Sequence, residues 1–463
     1  MALRSRDRSD NHEGTCIHKR LMPNGTGPSL TRRQFLKRSA MAATAAAVPC
    51  IVPAAVLGRE GAVPPSERIV MGGIGLGGRG SYDLGALLNE PDVEWAAVCD
   101  VVKSRREAAK RTVDRKQGND RCAMYADLRQ LLEERSDVDA VLIATGDRWH
   151  ALASVMAMRA GKDVYCEKPA CLTMPQGRMV VETARRYSRV YQTGAQRLSE
   201  PHHVFAIEMA RTGRLGPVHT AYADCRWHDG NRRDWLPAEP DPPRDEVEWD
   251  IWLGPSPWRP YNHAYVTGGG WYHFYDFATD IAMWGAHTVA QALAGLDMTH
   301  VTVLEFEYAG PGATMEVRLS KGVKLVLFRV AGSVWEPCKY WHGACGERFD
   351  GPEGWAAAAD GYTGTDVSSP SLLRDYQGVL EDYQVRTRRP LSHVRDFLDC
   401  IRTRRDPVAN PDVMYRSMKI CLAADICGEL KRNLRFDLGK GEFVGDREAN
   451  RIRSRAMRAP FLA

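Results

Sequence analysis

No CxxC pair occurs among the twelve cysteines, which are scattered from Cys16 to Cys427. Their tightest spacings, Cys166/Cys171 and Cys421/Cys427, are not those of zinc sites, so no metal centre is expected. Several lie in apolar runs, such as Cys99 after Trp95-Ala-Ala-Val98, where a buried free thiol is the ordinary state. One disulfide, between Cys338 and Cys345, stays open if the compartment is oxidising. Long apolar runs are also missing. The most apolar stretch, Ala40–Leu57, is broken by Pro49 and Pro53 and is too short for a membrane span. Charge of one sign is missing too: 63 Lys and Arg face 58 Asp and Glu, a formal net charge of +5. Part of that excess lies near the N-terminus, and no basic stripe of the kind that binds nucleic acid remains in the body. With 44% hydrophobic and 26% charged residues over 463 positions, the composition is globular and allows two or three domains.

What is present begins with an address. Residues 31–37 read Thr-Arg-Arg-Gln-Phe-Leu-Lys, directly before the Ala- and Val-rich stretch. A twin arginine, Phe-Leu and Lys ahead of a moderately apolar segment match the bacterial twin-arginine export signal. Residues 1–62 are therefore set aside as signal and linker, and the protein is expected in the periplasm or otherwise exported, with the twin-arginine machinery as a partner. That route carries folded proteins, so any cofactor is expected to be tightly bound.

The body starts with Arg68-Ile-Val-Met-Gly-Gly-Ile-Gly-Leu-Gly-Gly-Arg-Gly80. An apolar strand at 69–74 leads into Gly75-Leu76-Gly77-Gly78-Arg79-Gly80, a GxGxxG turn before a helical stretch at 82–88. Such glycines allow a tight turn and let the backbone approach a pyrophosphate at a helix N-terminus. A frame on Gly73, Gly75 and Gly78 also fits, but the later one leaves the strand whole. A second strand, Val93–Cys99, ends in Asp100, placed to bond a ribose 2′-hydroxyl and favour NAD. Arg105 and Arg106 follow closely and leave NADP open. Further strands at 139–145 and 163–166, with a helix at 151–160 between them, give strand–helix alternation. The expected class is α/β: an N-terminal Rossmann domain with a doubly wound parallel sheet, over residues 63–190.

Three further motifs, Ala144-Thr-Gly-Asp-Arg-Trp-His150, Glu167-Lys168-Pro169 and Trp284-Gly-Ala-His287, complete a pattern. With the glycine loop, Trp252-Leu-Gly-Pro-Ser-Pro-Trp258 and the segment from His393 to Cys400, the chain from about residue 66 resembles the glucose–fructose oxidoreductase/inositol dehydrogenase family (Gfo/Idh/MocA). The resemblance implies an NAD(P)-dependent oxidoreductase acting on a sugar, cyclitol or glycoside. Some members are instead NAD-dependent glycoside hydrolases that oxidise transiently, and a non-catalytic sugar-binding protein is the third reading. It implies that Lys168 faces the nicotinamide and stabilises alkoxide charge, and that His287 exchanges the hydroxyl proton. Thr145, Trp149, His150, Glu167 and Gln196 are expected near the cofactor, His150 in a positional role. Two departures stand out. The family usually has an acid four residues before the histidine, and here that position is Met283. Asp280, seven before His287, is expected on the same helical face as a partial substitute; Tyr272, His273 and Tyr275 are other candidates. Gly146 stands where the family commonly has proline. Arg197 is read equally as a cleft residue and as a solvated charge.

From residue 191 to the C-terminus the pattern becomes that of an α+β substrate and oligomerisation domain. Segments 218–224, 301–308, 314–319 and 324–330 alternate like antiparallel strands of an open sheet. Aromatic residues crowd positions 227–284, suited either to stacking against carbohydrate or to core and interface packing. Residues 392–433 read as two helices, and a homo-oligomer is expected.

Overall fold

A computed structural model describes residues 63–225, 231–298, 300–310, 314–319, 322–328, 345–361 and 364–461. The expected export signal, Trp227, Cys338 and the end of the strand expected to reach residue 330 lie outside the described residues.

In the first half, strands and helices alternate: β1 (Ile69–Ile74), α1 (Gly78–Leu88), β2 (Val93–Cys99), α2 (Lys103–Gln117), β3 (Ala123–Tyr125), α3 (Leu128–Glu134), β4 (Ala140–Ile143), α4 (Asp147–Arg159), β5 (Asp163–Cys166), α5 (Met174–Arg186) and β6 (Tyr191–Thr193). The strands pair in parallel in the order β3-β2-β1-β4-β5-β6. Their apolar runs follow from burial on both faces, as β4, with all four residues buried, illustrates. The order reverses between β1 and β4, and the crevice at such a switch point is where dinucleotides bind in open α/β sheets. The sheet includes β6, so it runs past the boundary expected at residue 190.

The second half holds α6 (Pro201–Arg211), β7 (Thr220–Asp224), α7 (Ala282–Gly295), β8 (Val303–Glu307), β9 (Met315–Arg318), β10 (Lys324–Phe328), β11 (Glu347–Gly351), β12 (Gly354–Ala358), β13 (Asp366–Val367), α8 (Tyr376–Thr387), α9 (His393–Thr403), α10 (Pro411–Leu430), β14 (Leu434–Asp437) and β15 (Glu442–Phe443). Nine strands form one sheet in the order β13-β12-β11-β7-β10-β9-β8-β14-β15. Among the described pairings only β7 with β10 is parallel. Helices α6 and α7 pack together against this sheet, and α10 packs on both α7 and α5, joining the halves. Helix α9 returns to the first sheet: its Phe397, Leu398 and Cys400 are buried with Met71, Trp95 and Tyr165. The nine described cysteines are buried free thiols, Cys345 among them.

Candidate functional site

The glycine loop sits between the ends of β1 and β4. Gly75 has φ +79°, and a Cβ there would lie 2.5 Å from the Thr145 Cα, so only glycine suits the turn. A Cβ on Gly80 would lie 2.1 Å from the Gly75 carbonyl oxygen, which lets α1 pack directly on the loop, whereas Gly78 meets nothing within 4 Å. These contacts select the frame Gly75, Gly77, Gly80. A cavity of about 460 Å³ opens beside the loop, lined by Gly77, Arg79, Asp100, Arg105, Thr145 and Trp149 among others. The side chain of Leu76 is buried instead, and its N–H donates to Asp100 Oδ2 at 2.7 Å.

Asp100 is more committed than the sequence implied. Its second oxygen accepts from Val102 N at 2.8 Å, so the carboxylate pins the glycine loop to the start of α2. Burial raises its pKa, against those backbone donors and Arg105. The Arg105 guanidinium lies over Gly77, 3.6 Å from where a Cβ would stand, and donates to the Val266 carbonyl. Arg106 is turned to the carbonyls of Asp100 and Asp245.

At the end of β5, Lys168 Nζ donates to the Met283 carbonyl at 2.9 Å and lies 5.5 Å from the Trp284 ring centre. The position lacking the family's acid therefore meets the lysine through its backbone. Glu167 accepts from Gln196 Nε2 at 2.7 Å, Arg79 Nε at 3.1 Å and Lys168 N at 3.0 Å. Burial pushes the Glu167 carboxyl up, but Arg79 and Lys168 outweigh it and hold it below its ordinary value. Asp83, sharing Arg79 with it, is driven up to about 8 by burial and by the Glu167 charge. His150, Glu167, Lys168, Gln196 and His287 are not among the residues lining the cavity. His150 Nδ1 is 2.7 Å from the Pro169 oxygen and its Nε2 accepts from Gly146 N at 3.2 Å, so the ring ties the β4 and β5 loops together. Burial lowers its pKa to about 4, keeping it neutral. Gly146 has φ +116°. Proline offers neither that φ nor the N–H, so the departure at 146 changes the loop's construction as well as its stiffness.

His287 lies on α7, one turn past Met283, and is buried. Its Nδ1 has no hydrogen-bond partner among the described residues. Burial, then the Lys168 charge, depress its pKa well below the usual value, so it is a neutral base. Asp280 is not on the same helix face. Helix α7 begins at Ala282 with Ile281 as its N-cap, and Asp280 lines a second cavity with Tyr275, Asp425 and Arg455. Tyr275 is held between Arg233 and Arg455, each 3.9 Å from its ring centre. Tyr272 lines the dinucleotide cavity, stacked on Trp271 at 3.9 Å, and burial followed by the Asp147 charge raises its pKa to about 12. His273 lies in the short 3-10 turn Gly270–His273. Arg197 is no solvated charge: it pairs with Asp360, with Nε donating at 2.7 Å.

Two neighbours in the 144–150 motif were not singled out from sequence. Asp147, 2% exposed at the start of α4, is raised to about 7 by burial, with Lys168 the strongest opposing charge. Arg148 is buried between Trp252, 3.5 Å from its ring centre, and Trp271; burial lowers it to about 9. Their place just past a parallel strand's C-terminal end was the available signal. Most of the aromatic segment proves to be packing. Trp249, Trp252, Tyr265, Phe274 and Phe277 form a small core over Val102, while Trp271 and Tyr272 face the cavity.

Residues 68–195 match the family profile for the NAD-binding Rossmann fold of the Gfo/Idh/MocA oxidoreductases, and residues 371–463 match that family's C-terminal α/β domain. The two matches support a place in that family. Among curated proteins, the chain is 30% identical over 158 residues to glycosyl hydrolase family 109 protein 1 of Bacteroides thetaiotaomicron, 34% of either chain. It is 32% identical over 147 residues to inositol 2-dehydrogenase of Salmonella typhimurium, 31% of this chain and 41% of that one. The chain spans about a third to a half of the length of these relatives. Among solved structures, the WlbA dehydrogenase of Chromobacterium violaceum, in complex with NADH and UDP-GlcNAcA, aligns with TM-score 0.56 at 15% identity over 80% of this chain and 97% of that one. Myo-inositol 2-dehydrogenase of Lactobacillus plantarum aligns with TM-score 0.51 at 17% identity, covering 79% of this chain and 98% of that one. At these identities the likeness is one of fold.

Proposed function

We propose that this protein is an NAD(P)-dependent oxidoreductase acting on a CH–OH group of a sugar, cyclitol or glycoside. The observation that carries the reading is the glycine-loop cavity at the C-terminal edge of the parallel sheet, with Lys168, at the end of β5, donating to α7 one turn before neutral His287, whose pKa burial and then the Lys168 charge depress. The cavity fits a dinucleotide: the loop and the N-terminus of α1 suit a pyrophosphate, and Asp100 and Arg105 flank Gly77. The nicotinamide, when bound, supplies a two-electron hydride acceptor. The chain's residues do the rest. His287 takes the hydroxyl proton, and the Lys168 ammonium stabilises the developing alkoxide. Glu167 and the Met283 carbonyl hold Lys168 in place. Asp147, raised to about 7 by burial with Lys168 as its strongest opposing charge, is proposed to pass the proton onward. NAD is the favoured cofactor because the Asp100 charge disfavours a 2′-phosphate, and Arg105 makes that preference modest.

The glycosyl hydrolase family 109 relatives favour a second reading, in which a glycoside is oxidised, eliminated, hydrated and reduced again with no net redox change. A panel of sugars and glycosides, followed by single-turnover absorbance of the nicotinamide and by product mass spectrometry, separates them. Stoichiometric reduced cofactor with an oxidised sugar supports the first reading, and a hydrolysed product without net reduction supports the second. No cofactor reduction with any member of the panel and no hydrolysis would favour a non-catalytic sugar-binding protein. Export through the twin-arginine route, tight cofactor retention and a homo-oligomer complete the proposal, the last tested by light scattering of the purified chain.

A further inference from the structure

A cluster of buried polar side chains lies beside Arg197, where the first turn of α6 meets β11 and the segment after β12. His203 has no exposed side-chain surface, and its Nδ1 is 2.8 Å from Glu347 Oε2. In the tautomer that donates from Nδ1 to this carboxyl, Nε2 presents a lone pair. Gln291 Nε2 donates to the same carboxyl at 2.6 Å. His203 Nε2 has no hydrogen-bond partner among the described residues, although Asp360 Oδ1 stands 3.7 Å away and Glu200 Oε2 3.9 Å away. The His202 ring lies 4.3 Å from that of His203, and its Nε2 is likewise without a partner among the described residues. One ligand atom from each of Glu200, His202 and His203 falls within 4.8 Å of the others.

The charges do not balance. Glu200, Glu347 and Asp360 bring three carboxylates, and Arg197 brings one guanidinium, so with neutral imidazoles two negative charges are left over. A single proton supplies half of what is missing. A divalent cation supplies all of it and takes the two idle ring nitrogens as ligands.

We propose that Glu200, His202, His203 and Asp360 bind a first-row divalent cation, Zn²⁺ by preference, with Glu347 fixing the His203 ring from behind. Two imidazoles and two carboxylates are a donor set that zinc accepts in tetrahedral geometry. A carboxylate on the far nitrogen of a ligating histidine is the usual outer support of such a site. Zinc–ligand bonds of about 2.1 Å place tetrahedral ligands roughly 3.4 Å apart. Glu200, whose side chain is 39% exposed, has the freedom to close the remaining gap. Cysteine-based spacing could not reveal this group, because Asp360 lies far along the chain from Glu200-Pro-His-His203.

The test uses the tag-free full chain, stripped with a chelator, dialysed against Zn²⁺ and then against metal-free buffer, with bound metal read by elemental mass spectrometry. Wild type is expected to hold one equivalent per chain, and His203→Asn and Glu200→Gln to lose it. Glu347→Gln removes no ligand and is expected to weaken Zn²⁺ affinity by about 10- to 100-fold. Glu200 is half-exposed, so its variant reports on the site even if His203→Asn fails to fold. Wild type without retained Zn²⁺, or equal retention by wild type and a Glu200→Gln/His202→Asn double variant, overturns the proposal. The metal count needs neither nicotinamide nor sugar, so its outcome is independent of the oxidoreductase reading.

Discussion

The Lys168 ammonium donates to a main-chain carbonyl, with no carboxylate in ion-pair range among the described residues, and this shapes what its removal does. Its Nζ donates to the Met283 oxygen one helical turn before His287, and its charge, after burial, helps depress the His287 pKa. Lys168→Ala is expected to lower turnover by about a hundredfold or more through lost alkoxide stabilisation. The dissociation constant for the dinucleotide should hardly change, because the glycine loop binds most of it. Near wild-type turnover on a verified substrate would refute the role. Arg105 sets the second expectation at this scale. Its guanidinium lies over Gly77 beside the Asp100 carboxylate, where it offsets the charge that disfavours a 2′-phosphate. Arg105→Ala should therefore raise the ratio of NAD to NADP affinity, and Asp100→Ala should lower it. A fall in the ratio for the arginine variant, measured by fluorescence titration, would reverse the assignment.

Among the elements, α4 carries a buried acid at its first position. Asp147 is raised from 3.8 to about 7 by burial. An acid whose pKa is higher in the folded than in the unfolded state keeps its proton longer when folded. Its contribution is present below pH 3.8 and is lost as pH rises towards 7. Between pH 5 and pH 8 the loss is roughly 2 to 3 kcal/mol at 1.36 kcal/mol per unit. Asp147→Asn keeps an acceptor for Thr279 N and removes the titration, so its stability relative to wild type should rise by about that amount over the same range. Urea unfolding at both pH values measures it, and a difference that does not change with pH rejects the shift. Elements differed in how openly the sequence declared them. The strands at 69–74, 93–99 and 163–166 have the ends read from sequence, because continuous apolar residues bounded by Asp, Gly or Pro mark doubly covered strands. The β11–β12 hairpin was not read, since Glu347-Arg-Phe-Asp-Gly and Gly-Trp-Ala-Ala-Ala358 lack β-branched alternation. Its pairing comes from the β7 edge and the Gly351-Pro-Glu-Gly354 turn. The site divides the same way. Glycine loop and Lys168 sit in local motifs, whereas the contact of Met283 with Lys168 and of His203 with Glu347 joins segments more than a hundred residues apart. The reading of Asp280 failed at a helix boundary: spacing by seven implies a shared face only where both residues are helical, and α7 starts two residues too late.

At the scale of the whole molecule, the address and the chemistry constrain each other. On the proposed reading, Thr31-Arg-Arg-Gln-Phe-Leu-Lys37 is a signal for a receptor that admits folded cargo, and outside the cytoplasm free nicotinamide dinucleotide is scarce. An exported enzyme of this kind has to fold around its cofactor before export and regenerate it within each turnover. Residues of the segment at 266–272 line the cavity, with Arg105 donating to the Val266 carbonyl and Trp271 against the Gly146 turn. Export and retention are then two outcomes of one experiment. Arg32→Lys together with Arg33→Lys should leave the precursor in the cytoplasm, because the receptor reads the arginine pair. Wild-type protein recovered from the periplasm, never exposed to added nucleotide, should release close to one dinucleotide per chain on denaturation, measured by mass spectrometry. It should also turn over a glycoside, or a pair of sugars of which one is oxidised and the other reduced, without added cofactor. Equal periplasmic accumulation of the double variant would remove the twin-arginine route. Periplasmic wild type that is folded but releases no dinucleotide would remove the retained cofactor and leave the first conclusion standing.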